Sequence, residues 1–426
     1  MHLSGSLALA LVLLSYQFAL AENWPSWRGP TNNGISHEKH LPVQWSPTEN
    51  VAWKAPLPGP AGSTPVIWGE QIFLTSADRD GNLWLLAIGT DGKEQWRKQV
   101  ASGSQNVRND EGNYASPSPS TDGRHVWTLF GTGDLACYTV TGDKVWHFNV
   151  QDRFGKLKIQ FGLASTPVLD DGVLYLQYIH GDYKKATQEA CVAALDAATG
   201  NTKWRVDRPS DGDGENEHSY ASPMMYDDGQ RKFLLTHGCD YIIAHDLKDG
   251  HELWRCGGLN KKENYDMTLR FVASPATAKG IIVVPTAKRG PLLALKPNGY
   301  GDITNKPEFH LWEIKETPDV PSPLILDDRV YLCEENGDLR ILDRATGKEL
   351  DYQRTERDRH RASPVYADGH IYLTARKGIV TVVKATDRVE IVAQNDLGED
   401  QSASPAISSG TIYLRTFNHL WAIRGR

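Results

Sequence analysis

The chain has 426 residues, 40% hydrophobic and 23% charged, enough apolar content to bury a core. Its 46 basic and 53 acidic residues leave a net charge of −7, which argues against a general nucleic-acid surface. Thirteen Trp and 16 Tyr against four Met favour strands over helices.

The chain opens on an apolar run, Leu7 to Leu14, followed by the small-x-small triplet Ala19-Leu20-Ala21. That pattern predicts a secretory signal peptide over residues 1–21, cleaved after Ala21, although no Lys or Arg precedes the run. The run is too short to span a bilayer, so no membrane span is expected. The mature protein is expected in the periplasm or outside the cell. Five cysteines, at 137, 191, 239, 256 and 333, contain no CxxC pair, which excludes zinc-ribbon and thioredoxin-like motifs.

Beyond an extension over 22–47, a repeat fills the chain. A small residue followed by Pro recurs at Pro65, Pro117, Pro167, Pro223, Pro275, Pro323, Pro364 and Pro405. The spacings of 52, 50, 56, 52, 48, 41 and 41 residues define eight units. Within each, short alternating strands are separated by Gly- and Asp-containing turns. Four antiparallel strands at this period make a β-propeller blade, so the expected fold is all-β: one eight-bladed propeller over 48–426. The eighth unit ends at Arg426 before an outer strand appears. Residues 48–57, with Trp53, supply the missing one and close the ring.

The sharpest motif is Ala194-x-Asp196-x-x-Thr199-Gly200-x-x-x-Trp204. Its turn-to-Trp step recurs at Trp96, Trp146 and Trp254, and Trp53 and Trp312 hold matching places. These six tryptophans are expected to dock blade on blade. Asp351 and Ile391 stand at the corresponding places in units six and seven. The motif resembles the tryptophan-docking repeat of quinoproteins, the pyrroloquinoline quinone (PQQ) propeller superfamily. The opening Trp24-Pro-Ser-Trp27-Arg28-Gly29-Pro30 is similar to the head of exported bacterial PQQ-like repeat proteins. Their fold resembles the propeller lipoprotein of the outer-membrane barrel assembly machinery. The resemblance is specific for fold and not for chemistry.

For a PQQ dehydrogenase, the resemblance implies a calcium site, a catalytic Asp and adjacent cysteines, and no segment here matches them. No catalytic residue, metal or cofactor is assigned; PQQ with calcium enters by resemblance only. The acidic run Asp211-Gly-Asp213-Gly-Glu215-Asn-Glu217 misses EF-hand spacing and reads as a solvated loop. No nucleophile elbow, phosphate loop or HExxH occurs.

Binding is expected on the face where the blade-to-blade crossovers emerge. Measured from each Trp position to the next Pro, the crossovers are 12, 21, 21, 19, 21, 11, 13 and 14 residues, so the long ones lead into blades 2 to 5. A long loop over 180–188 joins that side. Residues three or five before the marker Pro gather at the axial mouth: Tyr114, His218, Tyr220, Arg270, Arg359 and Arg361. They predict a positively biased mouth for an anionic ligand or acidic peptide. The leading expectation is a monomeric, non-catalytic scaffold for a protein or peptide partner in the cell envelope. The alternative is an oxidoreductase holding PQQ or another anionic cofactor.

Cys239 and Cys256 flank the turn at 247–249. If Asp246 faces Asp249, the two cysteines are also opposed, at a span a disulfide accepts. A bridge and a pair of buried thiols both remain open at this point.

Overall fold

The computed structural model describes residues 22–108, 112–183, 190–288 and 290–425. Residues 1–21, expected to be a signal peptide, and most of the blade 3 loop expected to face the partner lie outside these. Eight antiparallel sheets form a ring, one per repeat. In blade 3, for example, Val168–Asp170, Val173–Tyr178, Cys191–Asp196 and Thr202–Asp207 run in order from axis to rim. The inner strands are almost wholly buried, while the outer strands alternate in exposure, so the core lies between successive blades.

The ring closes as the sequence predicts. Val51–Pro56 pairs antiparallel with the last strand, His419–Ile423, with Trp53 opposite Ala422. Chain start and chain end thus share blade 8, and neither leaves a raw inner edge.

In every blade the third and fourth strands are offset by one bulged residue just before the docking position. Five of the repeat tryptophans then sit opposite small partners: Trp96 on Ala87, Trp146 on Cys137, Trp204 on Ala194, Trp254 on Ala244 and Trp312 on Ala294. This explains the Ala of the motif: a small cross-strand neighbour leaves space for the indole. Blade 7 corrects the sequence alignment. Its turn is one residue longer than in blades 3, 4 and 6, and Ala393 opposite Val382, not Ile391, stands at the place of the repeat tryptophan.

The repeat marker gains a structural role. One hydroxyl residue per blade precedes the marker Pro: Thr64, Ser118, Thr166, Ser222, Ser274, Ser322, Ser363 and Ser404. Each of the first seven donates its amide N–H to the hydroxyl oxygen of the next, at 2.9–3.1 Å. The chain of bonds shows that blade 2 uses Ser118-Pro119. The expected Ser116-Pro117 is two residues out of register, which moves Tyr114 to five before the marker.

Residues 22–47 lie across the ring on the face of the turns that join first and second strands. Trp24 exchanges both backbone bonds with Ile67 of blade 1, and Pro25 accepts from Thr121 of blade 2. Arg28 reaches the carbonyls of Ser322 and Pro323 in blade 6, and Gly34 and Ser36 pair with Tyr366 of blade 7. Glu38 accepts from Ser409 and Gly410 of blade 8. First strands run from crossover to this turn, so the segment covers the face opposite the crossovers. Trp45 packs in the same cluster as Ala393 and stacks on Tyr372 at 6.3 Å, where blade 7 has no docking Trp of its own.

Of the two alternatives for Cys239 and Cys256, the structure has the buried thiols, and the expected facing register is corrected. Blade 4 pairs Ile242 with Cys256 and Ala244 with Trp254. Asp246 closes its turn on His251, not Asp249, and the bulge shifts the register further. Cys239 therefore falls in the tight turn between second and third strands, at φ 49°, beyond reach of a facing Cys256. All five cysteines are free and buried.

Candidate functional site on the crossover face

The long crossovers into blades 3 to 5 build one wall of this face around Phe161. Tyr220 tilts against its ring at 5.9 Å, and the Arg270 guanidinium lies over it at 5.1 Å. Arg270 also bonds Glu215 at 2.5 Å. His218 is fully buried: a ring nitrogen bonds the Gly181 carbonyl at 2.9 Å, and Tyr183 meets it edge-on at 4.7 Å. Burial holds its pKa below the ordinary imidazole value. His218 thus anchors the blade 3 loop from beneath and does not present its ring to solvent.

Glu217 assists it. One carboxylate oxygen accepts from the Tyr183 amide at 2.8 Å, and burial raises its pKa. None of Asp211 to Glu217 is exposed, and Asn216 and Glu217 are fully buried. The solvated-loop reading is therefore corrected: Gly214–Glu217 forms a short 3-10 turn packed under the crossover.

Tyr114 fills a slot between glycines of two blades. A Cβ on Gly131 or Gly162 would come within 2.7 or 2.5 Å of its ring. Its hydroxyl is 3.4 Å from Gln105, and burial raises its pKa.

Arg359 and Arg361 lie on the other half of the face. Arg361 bonds Glu335 at 2.7 Å. Arg359 lines a cleft of about 1150 Å³ built by Lys288 and the 315–319, 334–336 and 354–359 loops of blades 5 to 7. This cleft thus lies over the short crossovers into blades 6 and 7. Five basic and five acidic side chains line it, so its formal charge is balanced. The mouth arginines Arg270 and Arg361 are paired to carboxylates as well, as is Arg376 with Asp400 at 2.8 Å. A positively biased mouth is not what these side chains make.

Sequence reading missed the carboxyl pair Asp319 and Glu335 in this cleft. Burial pushes Asp319 up to about 6, and its protonated carboxyl donates to the Glu335 carboxylate. Glu335 resists the same burial because Arg361 stabilises its charge, and it stays low. The pair shares one proton in mildly acidic solution, and Arg361 favours the charge on Glu335. No motif carries this pairing, because the two residues come from a crossover and a separate hairpin turn.

A calcium-assisted quinone needs several oxygen ligands converging at the mouth. Among the described residues, the three-membered ligand group Asp246, Asp249 and His251 lies on an exposed hairpin of blade 4, away from the mouth. Among the described residues no such ligand group gathers at the mouth.

The six expected docking tryptophans lie at blade seams. Trp53, Trp96, Trp146, Trp204 and Trp312 each donate their indole N–H to a turn carbonyl of the next blade: Thr90, Val140, Ala197, Leu247 and Arg344, at 2.7–3.0 Å. Trp254 is buried, and Gly301–Asp302, from an inserted blade 5 loop, pairs parallel with its strand. Asp351 instead accepts from the Val389 amide at 2.8 Å.

The crystal structure of BamB from Moraxella catarrhalis superposes with a TM-score of 0.62 at 13% identity, covering 87% of this chain and 99% of that one. Quinohemoprotein alcohol dehydrogenase from Comamonas testosteroni superposes with a TM-score of 0.68 at 13% identity, covering 95% and 81%. The computationally designed Ika8 protein gives 0.59 at 12% identity, covering 87% and 99%. At these identities the likeness is one of fold. No curated protein matches the chain. The family described as outer membrane protein assembly factor BamB matches over residues 41–176, 111–283 and 265–425. The matches together span nearly all of the propeller, and the chain belongs to that family, on a PQQ-like eight-bladed fold.

Proposed function

We infer that this protein is a non-catalytic scaffold of the cell envelope, exported by cleavage after Ala21 and monomeric, that holds a protein or peptide on its crossover face. The observation that carries the reading is the wide, charge-balanced cleft over blades 5 to 7. A surface of paired charges favours orientation and partner choice over chemistry. The family description, an assembly factor of the outer membrane, supports an envelope protein as partner.

The second reading is a PQQ-dependent or other anionic-cofactor oxidoreductase, favoured by the fold likeness to the alcohol dehydrogenase. Incubation with PQQ and Ca²⁺ followed by thermal melting separates the two by mass action. The scaffold reading expects no shift. A clear stabilisation that disappears in Arg270→Ala overturns it.

A further inference from the structure

The hydroxyl ring at the axis has a donor surplus. All eight of its side chains are buried, at 2–6% exposure. Seven of the oxygens accept an amide N–H from the preceding blade. Each hydroxyl also has a proton to donate, and among the described residues none of the eight donates it to a protein acceptor. Buried donors are normally satisfied.

Two buried cations adjoin the ring. Arg28, 3% exposed, donates to the carbonyls of Asn33 and Pro323 at 2.8 and 2.9 Å, with Ser322 O at 3.5 Å. Arg415, 1% exposed, donates to Ser63 Oγ at 2.6 Å and to Gly59 O at 3.3 Å, while its Nε meets no acceptor. Neither forms an ion pair with a carboxylate among the described residues. Burial alone lowers them, to about 10 and about 9, so both remain charged at neutral pH. Carbonyl and hydroxyl oxygens take some of these N–H groups but leave the charge without a counter-ion, an expensive arrangement in a buried site. The placement is directional. Arg28 touches Ser322 and the residue after it, whereas Arg415 touches the residue just before Thr64. The two guanidinium groups approach the ring from its opposite faces.

We propose that the axial hydroxyl ring is an anion site, occupied by a monatomic halide of the chloride class. Such an ion accepts several O–H bonds without a preferred geometry and supplies the missing negative charge. A carboxylate or phosphate would instead call for a guanidinium fork, and both N–H groups of Arg28 Nη2 are already engaged by carbonyls. Because residues 22–47 cover one face, exchange runs through the crossover mouth. The site is distinct from the partner cleft and does not depend on it.

The test uses the mature full chain crystallised with sodium bromide, with anomalous scattering recorded at the bromine edge. The expected result is an ordered bromide within hydrogen-bond reach of the ring hydroxyls. A parallel melting series exchanges sodium gluconate for sodium chloride at fixed ionic strength. It is expected to show a saturable rise of about 2 °C or more, and the rise should shrink by more than half in Arg28→Gln. Thr64→Val, which removes a hydroxyl on which no described amide depends, should weaken it as well. Bromide found only on the outer surface, with melting indifferent to chloride, overturns the proposal. Should Arg28→Gln fail to fold, the bromide map of the unaltered chain decides alone.

Discussion

The indole N–H of Trp204 donates to the Leu247 carbonyl at 3.0 Å across the seam between blades 3 and 4. Gly250 of the same turn, at φ 80°, lies so close to the indole face that a Cβ there would stand 2.6 Å from the ring. The Thr-Gly or Asp-Gly turn of each motif thus serves the tryptophan of the preceding blade, and we propose that this contact docks the blades. Trp204→Ala should cost about 3–5 kcal/mol in urea unfolding. A loss under about 1 kcal/mol, on the same scale, would remove the docking role.

Gly250→Ala should be destabilising for two reasons, the left-handed backbone and the clash with the indole. Combined with Trp204→Ala, only the backbone part should remain, so the two losses add to less than their sum. Full additivity in a double-mutant cycle would show that the glycine answers to its φ alone.

Ring closure is tested by deleting residues 22–57. This removes the outer strand of blade 8 and every contact of the segment across the ring. The melting temperature should fall sharply. An unchanged curve would contradict the closure.

The Asp319 carboxyl gives a pH signature of defined sign. Its folded pKa, about 6, stands above its usual 3.8, so between those values the folded state binds more protons than the unfolded. Stability contributed by this group is present at low pH and is lost as pH rises through about 6. Wild type minus Asp319→Asn, followed by denaturation from pH 4 to 7, should isolate a falling slope in that window. A rising or flat difference would mean that Asp319 is not the protonated member of the pair.

Much of the fold was legible because a repeat states the same information eight times. The bulge before each Trp and the small residue opposite it fit a fixed turn-to-Trp step, and this also located Val51–Pro56 as the closing strand. Where a blade departs from the common spacing, the reading slipped. Ser116-Pro-Ser118-Pro119 offers two markers two residues apart, and a strand period of two cannot choose between them. In blade 7, with its longer turn, Ala393 and not Ile391 stands at the place of the repeat tryptophan. The site was less legible for a different reason. Arg270 and Arg361 are visible as charges, but their carboxylates come from other loops, Glu215 and Glu335, which only the tertiary structure brings near. The segment over 22–47 has no periodicity, so neither its path nor the burial of Arg28 can be read from pattern.

Thiol chemistry checks the corrected register of blade 4. Thiol counting in denaturant without reductant should find five free thiols per chain. In the native protein all should be unreactive, since each is buried and burial raises its pKa. Three free thiols would restore a bridge.

The scaffold account is tested most directly by site-specific photocrosslinking in the native cell envelope. A photoreactive residue at Arg357, in the cleft over blades 5 to 7, is compared with one at the exposed rim residue Val145. The account predicts a discrete adduct with an envelope protein from position 357 and none from position 145. An adduct confined to the rim position, or a cleft that yields none, would contradict it.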